Sequence, residues 1–179
     1  MDILNYIISN WGLIVTRTGE HVAIVGVAVA LAILTGVPIG VAISQNRRVA
    51  DAVLYVASMV ITIPSIALFG MMIPVLSLVG HGIGYLPAVI AVLLYSQLPI
   101  IRNTYAAIRN LDPALREAAR GMGMTRGQRL REVELPLALP VIMTGVRLAV
   151  VMNIGVTAIA AYIGAGGLGT FISRGISQT

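Results

Sequence analysis

The chain of 179 residues contains no cysteine, and all 12 of its basic side chains are arginine, so lysine is absent too. Without cysteine there is no disulfide framework, no thiolate metal ligand and no thiol nucleophile. Without lysine there is no P-loop, because the G-x-x-x-x-G-K-[ST] pattern needs the lysine that reaches the nucleotide phosphates. Two histidines, His21 and His81, stand too far apart for metal-ligand spacing, so no metal site is expected. Charge is scarce: 11% of residues are charged, against about 25% in a soluble domain. The long apolar segments hold no Asp or Glu and no paired His, which argues against a membrane-embedded enzyme and leaves no catalytic residue to nominate.

What is abundant is apolar surface, at 58% of residues, and it comes in long runs. Ile3, Leu4, Ile7, Ile8, Trp11, Ile14 and Val15 follow helical spacing with polar residues opposite, so residues 1–20 are expected to form an interfacial amphipathic helix anchored by Tyr6 and Trp11. A first span is expected at about 22–46, with Gly36, Pro38 and Gly40 inside it and Arg47 and Arg48 at its end. From Ala52 to Ile101 there is no Asp, Glu, Lys or Arg, which is too long for one helix. The cluster GHGIGYLP, Gly80 to Pro87, divides it into spans at about 52–79, broken or kinked at Pro64 and Pro74, and 86–101. A fourth span is expected at 137–163, interrupted by Arg147, with an external loop over 164–179.

Seven arginines (102, 109, 116, 120, 126, 129 and 131) fall between the third and fourth spans, and Arg47 and Arg48 follow the first. That bias fits the positive-inside rule with the N-terminus outside. It explains most of the net charge of +5 without nucleic acid. The 102–136 loop carries its own helix signals. Asp112 is placed to cap, Pro113 suits the first helical position, and TRGQ from Thr125 has the capping-box form. A helix–turn–helix between two spans follows, with Gly121 and Gly123 stopping the first helix and Pro136 ending the second or starting the next span. Leu115, Ala118, Ala119 and Met122 share one face of that first helix. A DNA-binding helix–turn–helix has comparable spacing at Ala119 and Gly123, but no residues remain for a supporting third helix.

The stretch EAARGMGMTRGQRLREVELP, Glu117 to Pro136, resembles the EAA loop of binding-protein-dependent ABC importer permeases, with Val133 in place of the more usual isoleucine. GVPIGVAISQNRR resembles the end of that family's first core span, and TIPSIALFGMMIPVL, LPIIRNTYAAIRNLDPALREAARGMGMT, VELPLALPVIMTGVRLA and AAYIGAGGLGTFI look most like osmoprotectant permeases, with methionine-type amino-acid permeases as the alternative. The resemblance implies an all-α polytopic bundle of the type I ABC importer permease kind in a bacterial inner membrane. It implies that Ala118 and Ala119 form the contact face toward a cytoplasmic ATPase, with Glu117 as a polar contact and Gly123 as the bend. Val133, Leu135 and Pro136 complete the motif, and Leu135 and Pro136 fix the loop to the next span. The implied partners are an ATP-binding subunit carrying ATP and magnesium, a second permease copy or paralogue, an extracytoplasmic substrate-binding protein, and membrane lipid. The implied cargo is glycine betaine, choline, carnitine or a similar quaternary ammonium compound.

Family members usually continue past GAGGLG into a further membrane helix, whereas this sequence stops at Thr179. The expectation is therefore a truncated chain or a missing span. Ser65, Asn153 and Thr157 are the pathway candidates, although Asn153 and Thr157 at i and i+4 equally suit a helix interface. Aromatic faces suited to a quaternary ammonium are Tyr55, Phe69, Tyr85, Tyr95, Tyr105, Tyr162 and Phe171. A self-contained channel is the remaining alternative. It would need a ring of polar filter residues and would leave the hairpin unexplained.

Overall fold

The computed structural model describes residues 3–177, and these form helices and connecting turns without a strand. The elements are α1 (Ile3–Ser9), α2 (Trp11–Ile43), α3 (Arg47–Thr62), α4 (Ser65–Ser77), α5 (Tyr85–Arg109), α6 (Pro113–Gly121), α7 (Arg126–Arg129), a π turn (Leu130–Glu134), α8 (Leu135–Ile159), a 3₁₀ turn (Ala160–Ile163) and α9 (Gly169–Ser177).

α5 is the axis of the bundle, packed against α2 on one side and α8 on another. It is buried along most of its length, from Pro87 through Ile108. Small residues set the separations. A Cβ built on Gly40 of α2 would lie 2.6 Å from Thr104 Cβ, and one on Gly145 of α8 would lie 2.7 Å from both Asn103 Cβ and the Pro99 carbonyl oxygen. Glycine at these points lets backbones approach where lipid gives helices no hydrophobic drive to associate.

Three boundaries correct or refine the sequence expectation. Residues 1–20 do not form a separate helix. The chain breaks at Asn10, and from Trp11 a single helix of 33 residues runs to Ile43. No breaker lies between Trp11 and the apolar run, so the helix propagates; at about 50 Å it exceeds the roughly 30 Å hydrocarbon layer. Residues 1 and 2 lie outside the described part. The 52–79 segment is broken, as expected at Pro64, into two helices meeting at 98°. The break is at Pro64 alone: Ile63 is forced extended, while α4 runs on through Pro74. Tyr95 donates its hydroxyl to the carbonyl of Ile63, which the break would otherwise leave without a partner. Finally, no loop separates the hairpin from the last span: Arg126 to Ile163 is one continuous helical run, and Pro136 stands in the first turn of α8, at the start of that span.

Candidate functional site

The hairpin between α5 and α8 is built by local chemistry. The Asp112 carboxylate accepts a hydrogen bond from the Ala114 amide at 2.9 Å, with Pro113 at the first helical position. α6 then ends in a Schellman motif. Met124 N–H reaches the Ala119 carbonyl at 3.2 Å and Gly123 N–H the Arg120 carbonyl at 2.9 Å, with Gly123 at φ +78°. Gly121 is the last helical residue rather than a breaker, so the stop belongs to Gly123. The capping box forms in full: Gln128 N–H donates to Thr125 Oγ1 at 3.3 Å and Thr125 N–H to Gln128 Oε1 at 2.9 Å.

The chain enters α8 through the π turn, whose bond runs from Leu135 N–H to the Leu130 carbonyl. Pro136 has no N–H to give and its ring would crowd the carbonyl four residues back; widening the turn accommodates both. The turn carries Glu134, whose side chain is only 10% exposed. Arg129 Nε donates to its Oε1 at 2.9 Å, Arg116 Nε stands 3.4 Å from the same atom, and Arg116 also donates to the Ile108 carbonyl. One buried carboxylate therefore ties α6, α7 and the base of α8 together. Periodicity could not have singled it out, because residues 129 and 134 are five apart and do not share a face on an α-helix.

The motif residues divide by position. Glu117 and Ala118 are exposed on α6, flanked by exposed Leu115 and Met122. Ala119, read from the sequence as part of the same outward face, is buried within the chain. The outward apolar stripe is therefore Leu115, Ala118 and Met122. Gly123 is exposed at the turn, Val133 and Leu135 are half-buried, and Pro136 is exposed. Leu135 packs on the cluster of Ala107, Ile108, Ala138 and Ile142, which roots the hairpin in the bundle.

The pathway candidates do not converge on an open surface. Asn153 and Thr157 are fully buried. Asn153 Nδ2 donates to Ser96 Oγ on α5 at 2.7 Å, and that hydroxyl donates to the Val92 carbonyl at 2.8 Å. In this conformation Asn153 staples α8 to α5. Ser65 is half-buried at the start of α4. Of the aromatic candidates, Phe69 and Tyr95 are core residues, whereas Tyr55, Tyr85 and Tyr162 are exposed.

At the other end of the bundle a second polar contact went unnoticed in the sequence. Glu20 Oε2 accepts from Arg17 Nη1 and from Gly167 N–H, both at 2.8 Å, which holds the Gly164–Gly169 loop against α2. The partners are 147 residues apart, beyond any local pattern.

The family of binding-protein-dependent transport system inner membrane components matches residues 23–179. The chain belongs to that family. It is similar to the osmoprotectant import permease protein OsmW of Salmonella typhimurium, with 59% identity over 99% of this chain and 82% of that protein. It is also similar to the glycine betaine/carnitine/choline transport system permease protein OpuCB of Bacillus subtilis, with 40% identity over 98% of this chain and 79% of the relative. Among solved structures, an inward-facing form of the MetNI methionine ABC transporter superposes with a TM-score of 0.80 at 29% identity, over 90% of this chain and 79% of that one. This permease is thus an all-helical inner membrane component of the type I ABC importer kind.

Proposed function

We propose that this permease moves a small quaternary ammonium osmoprotectant into the cytoplasm by alternating access, driven by a separate ATPase seated on the hairpin. The observation that carries the reading is the hairpin itself. Its outward stripe of Leu115, Ala118 and Met122 beside Glu117 is left exposed by the described residues, while its inward side is locked by Glu134. A rigid, exposed helix rooted in the base of a membrane helix can pass a push from a soluble subunit to the bundle. On this reading ATP and magnesium belong to the partner, closure of the ATPase pair draws two hairpins together, and the bundle turns from inward- to outward-facing. The N-terminus lies outside and the hairpin inside, in keeping with the arginine bias. A binding protein delivers the cargo, and a second permease copy or paralogue completes the path.

The resemblance in name and identity of OsmW and OpuCB supports an osmoprotectant over methionine. Uptake of labelled glycine betaine in membrane vesicles carrying the whole importer should be competed by choline or carnitine and not by methionine. Competition by methionine alone would overturn the substrate class. Coupling has its own measurement. The double variant Glu117→Arg, Gly123→Trp is expected to lower ATP-driven uptake about tenfold or more by removing both the contact and the bend, an effect of roughly 1.4 kcal/mol or above. Unchanged ATPase co-purification and uptake in that variant would sink the coupling role.

A further inference from the structure

The positive-inside rule explains how many arginines the hairpin segment has; it does not explain why five of them line one cleft. Arg109 at the end of α5, Arg116 and Arg120 on α6, and Arg126 and Arg129 on α7 surround a cavity of about 500 Å³, with Glu134 as its one acidic lining residue. Ser44 and Gln45, at the end of α2, complete the wall. Glu134 is committed to Arg116 and Arg129. Arg109, Arg120 and Arg126 make no ion pair among the described residues. Three helices thus bring uncompensated guanidinium groups into a shared concavity, where they repel one another unless an anion is present.

We infer that this cleft is a binding site for a phosphate-bearing anion, which braces the hairpin against α2 and α5. Guanidinium forks match phosphate oxygens in bidentate geometry, and convergent arginines focus the field in a concavity. Two sources share this chemistry: a free phosphate and the headgroup of an anionic phospholipid at the membrane surface where α2 ends. An acidic segment of the ATPase is the less favoured occupant. Helical spacing puts Arg116 and Arg120 on the side of α6 away from Leu115, Ala118 and Met122, so a partner seated on the apolar stripe leaves the cleft open. The inference concerns the anion alone and does not depend on the cargo.

The test uses the assembled importer in phosphatidylcholine nanodiscs, with amide hydrogen exchange followed over residues 113–129. Inorganic phosphate is titrated in one arm, and phosphatidylglycerol replaces part of the lipid in the other. Exchange is expected to slow about tenfold in at least one arm, since a ligand selective for the closed form shifts local opening by mass action. Slowing by phosphate identifies a soluble anion, and slowing by phosphatidylglycerol alone identifies a headgroup. The triple variant Arg109→Gln, Arg120→Gln, Arg126→Gln should lose the effect, and the corresponding lysine triple should keep most of it. Exchange within α5 reports whether the glutamine variant is still folded; if it is not, the lysine triple and the wild-type titrations decide. No slowing in either arm, or slowing that follows ATPase occupancy and ignores both anions, would overturn the site.

Discussion

Leucine in place of Gly145 is expected to hold α8 away from α5 and to lower the thermal unfolding midpoint of the assembled importer by many degrees. A Cβ there would sit 2.7 Å from the Pro99 carbonyl oxygen and 2.7 Å from Asn103 Cβ, with Asn103 Nδ2 at 3.1 Å. The carbonyl is backbone and cannot swing away, and Asn103 Nδ2 is already donating to it at 2.8 Å. The helices must part, which loosens Ile142, Val146 and Ala149 from their neighbours on the same seam. Overpacking of this kind costs about 3 kcal/mol or more where backbone blocks the relief. Gly155 is the control, since a Cβ there meets nothing within 4 Å on the same helix. Thermal unfolding of the purified importer should separate Gly145→Leu from Gly155→Leu by many degrees. Equal midpoints would show that the α5–α8 approach is not limiting.

The second large effect is expected at Glu134. Changing it to glutamine keeps the shape and removes the charge that Arg129 and Arg116 share. Removing one partner of a buried pair costs about 3–5 kcal/mol. Arg129 and Arg116 retain 14% and 27% side-chain exposure, so water offsets part of the loss and about 2–3 kcal/mol is expected. The loss should be local. Amide exchange over Pro113–Arg129 is expected to quicken, while α2 and the buried part of α5 hold. Glu132→Gln, at an exposed carboxylate with no ion pair among the described residues, should leave exchange unchanged. If the two variants behave alike, the three-residue network does not hold the hairpin.

How legible these features were in the sequence depends on range. The caps at Asp112 and Thr125 and the turn at Gly123 are decided within four or five residues, and they were readable from spacing and residue type. The inward turn of Ala119 was not. An apolar helical stripe shows that a face will be covered, but not which part its own chain covers and which part it leaves for another. Glu134 was hidden because the π turn breaks the spacing that would pair it with Arg129. Asn153 and Thr157 stood out as polar residues in an apolar helix, yet only the position of Ser96 on a distant helix shows that Asn153 faces α5. The Pro64 break was visible, whereas the right angle it makes depends on where Tyr95 waits to take the freed carbonyl.

The π turn at Leu130–Glu134 also sets a phase. It holds one residue more than an α-helical path needs, and one residue is worth about 100° of rotation about the helix axis. The azimuth of α7, and with it the heading of the hairpin, is therefore offset by that angle from the stripes of α8 that meet α5. Helical periodicity counted straight across Pro136 loses step at this point, and the two halves of the rod are read correctly only when each is counted from its own side.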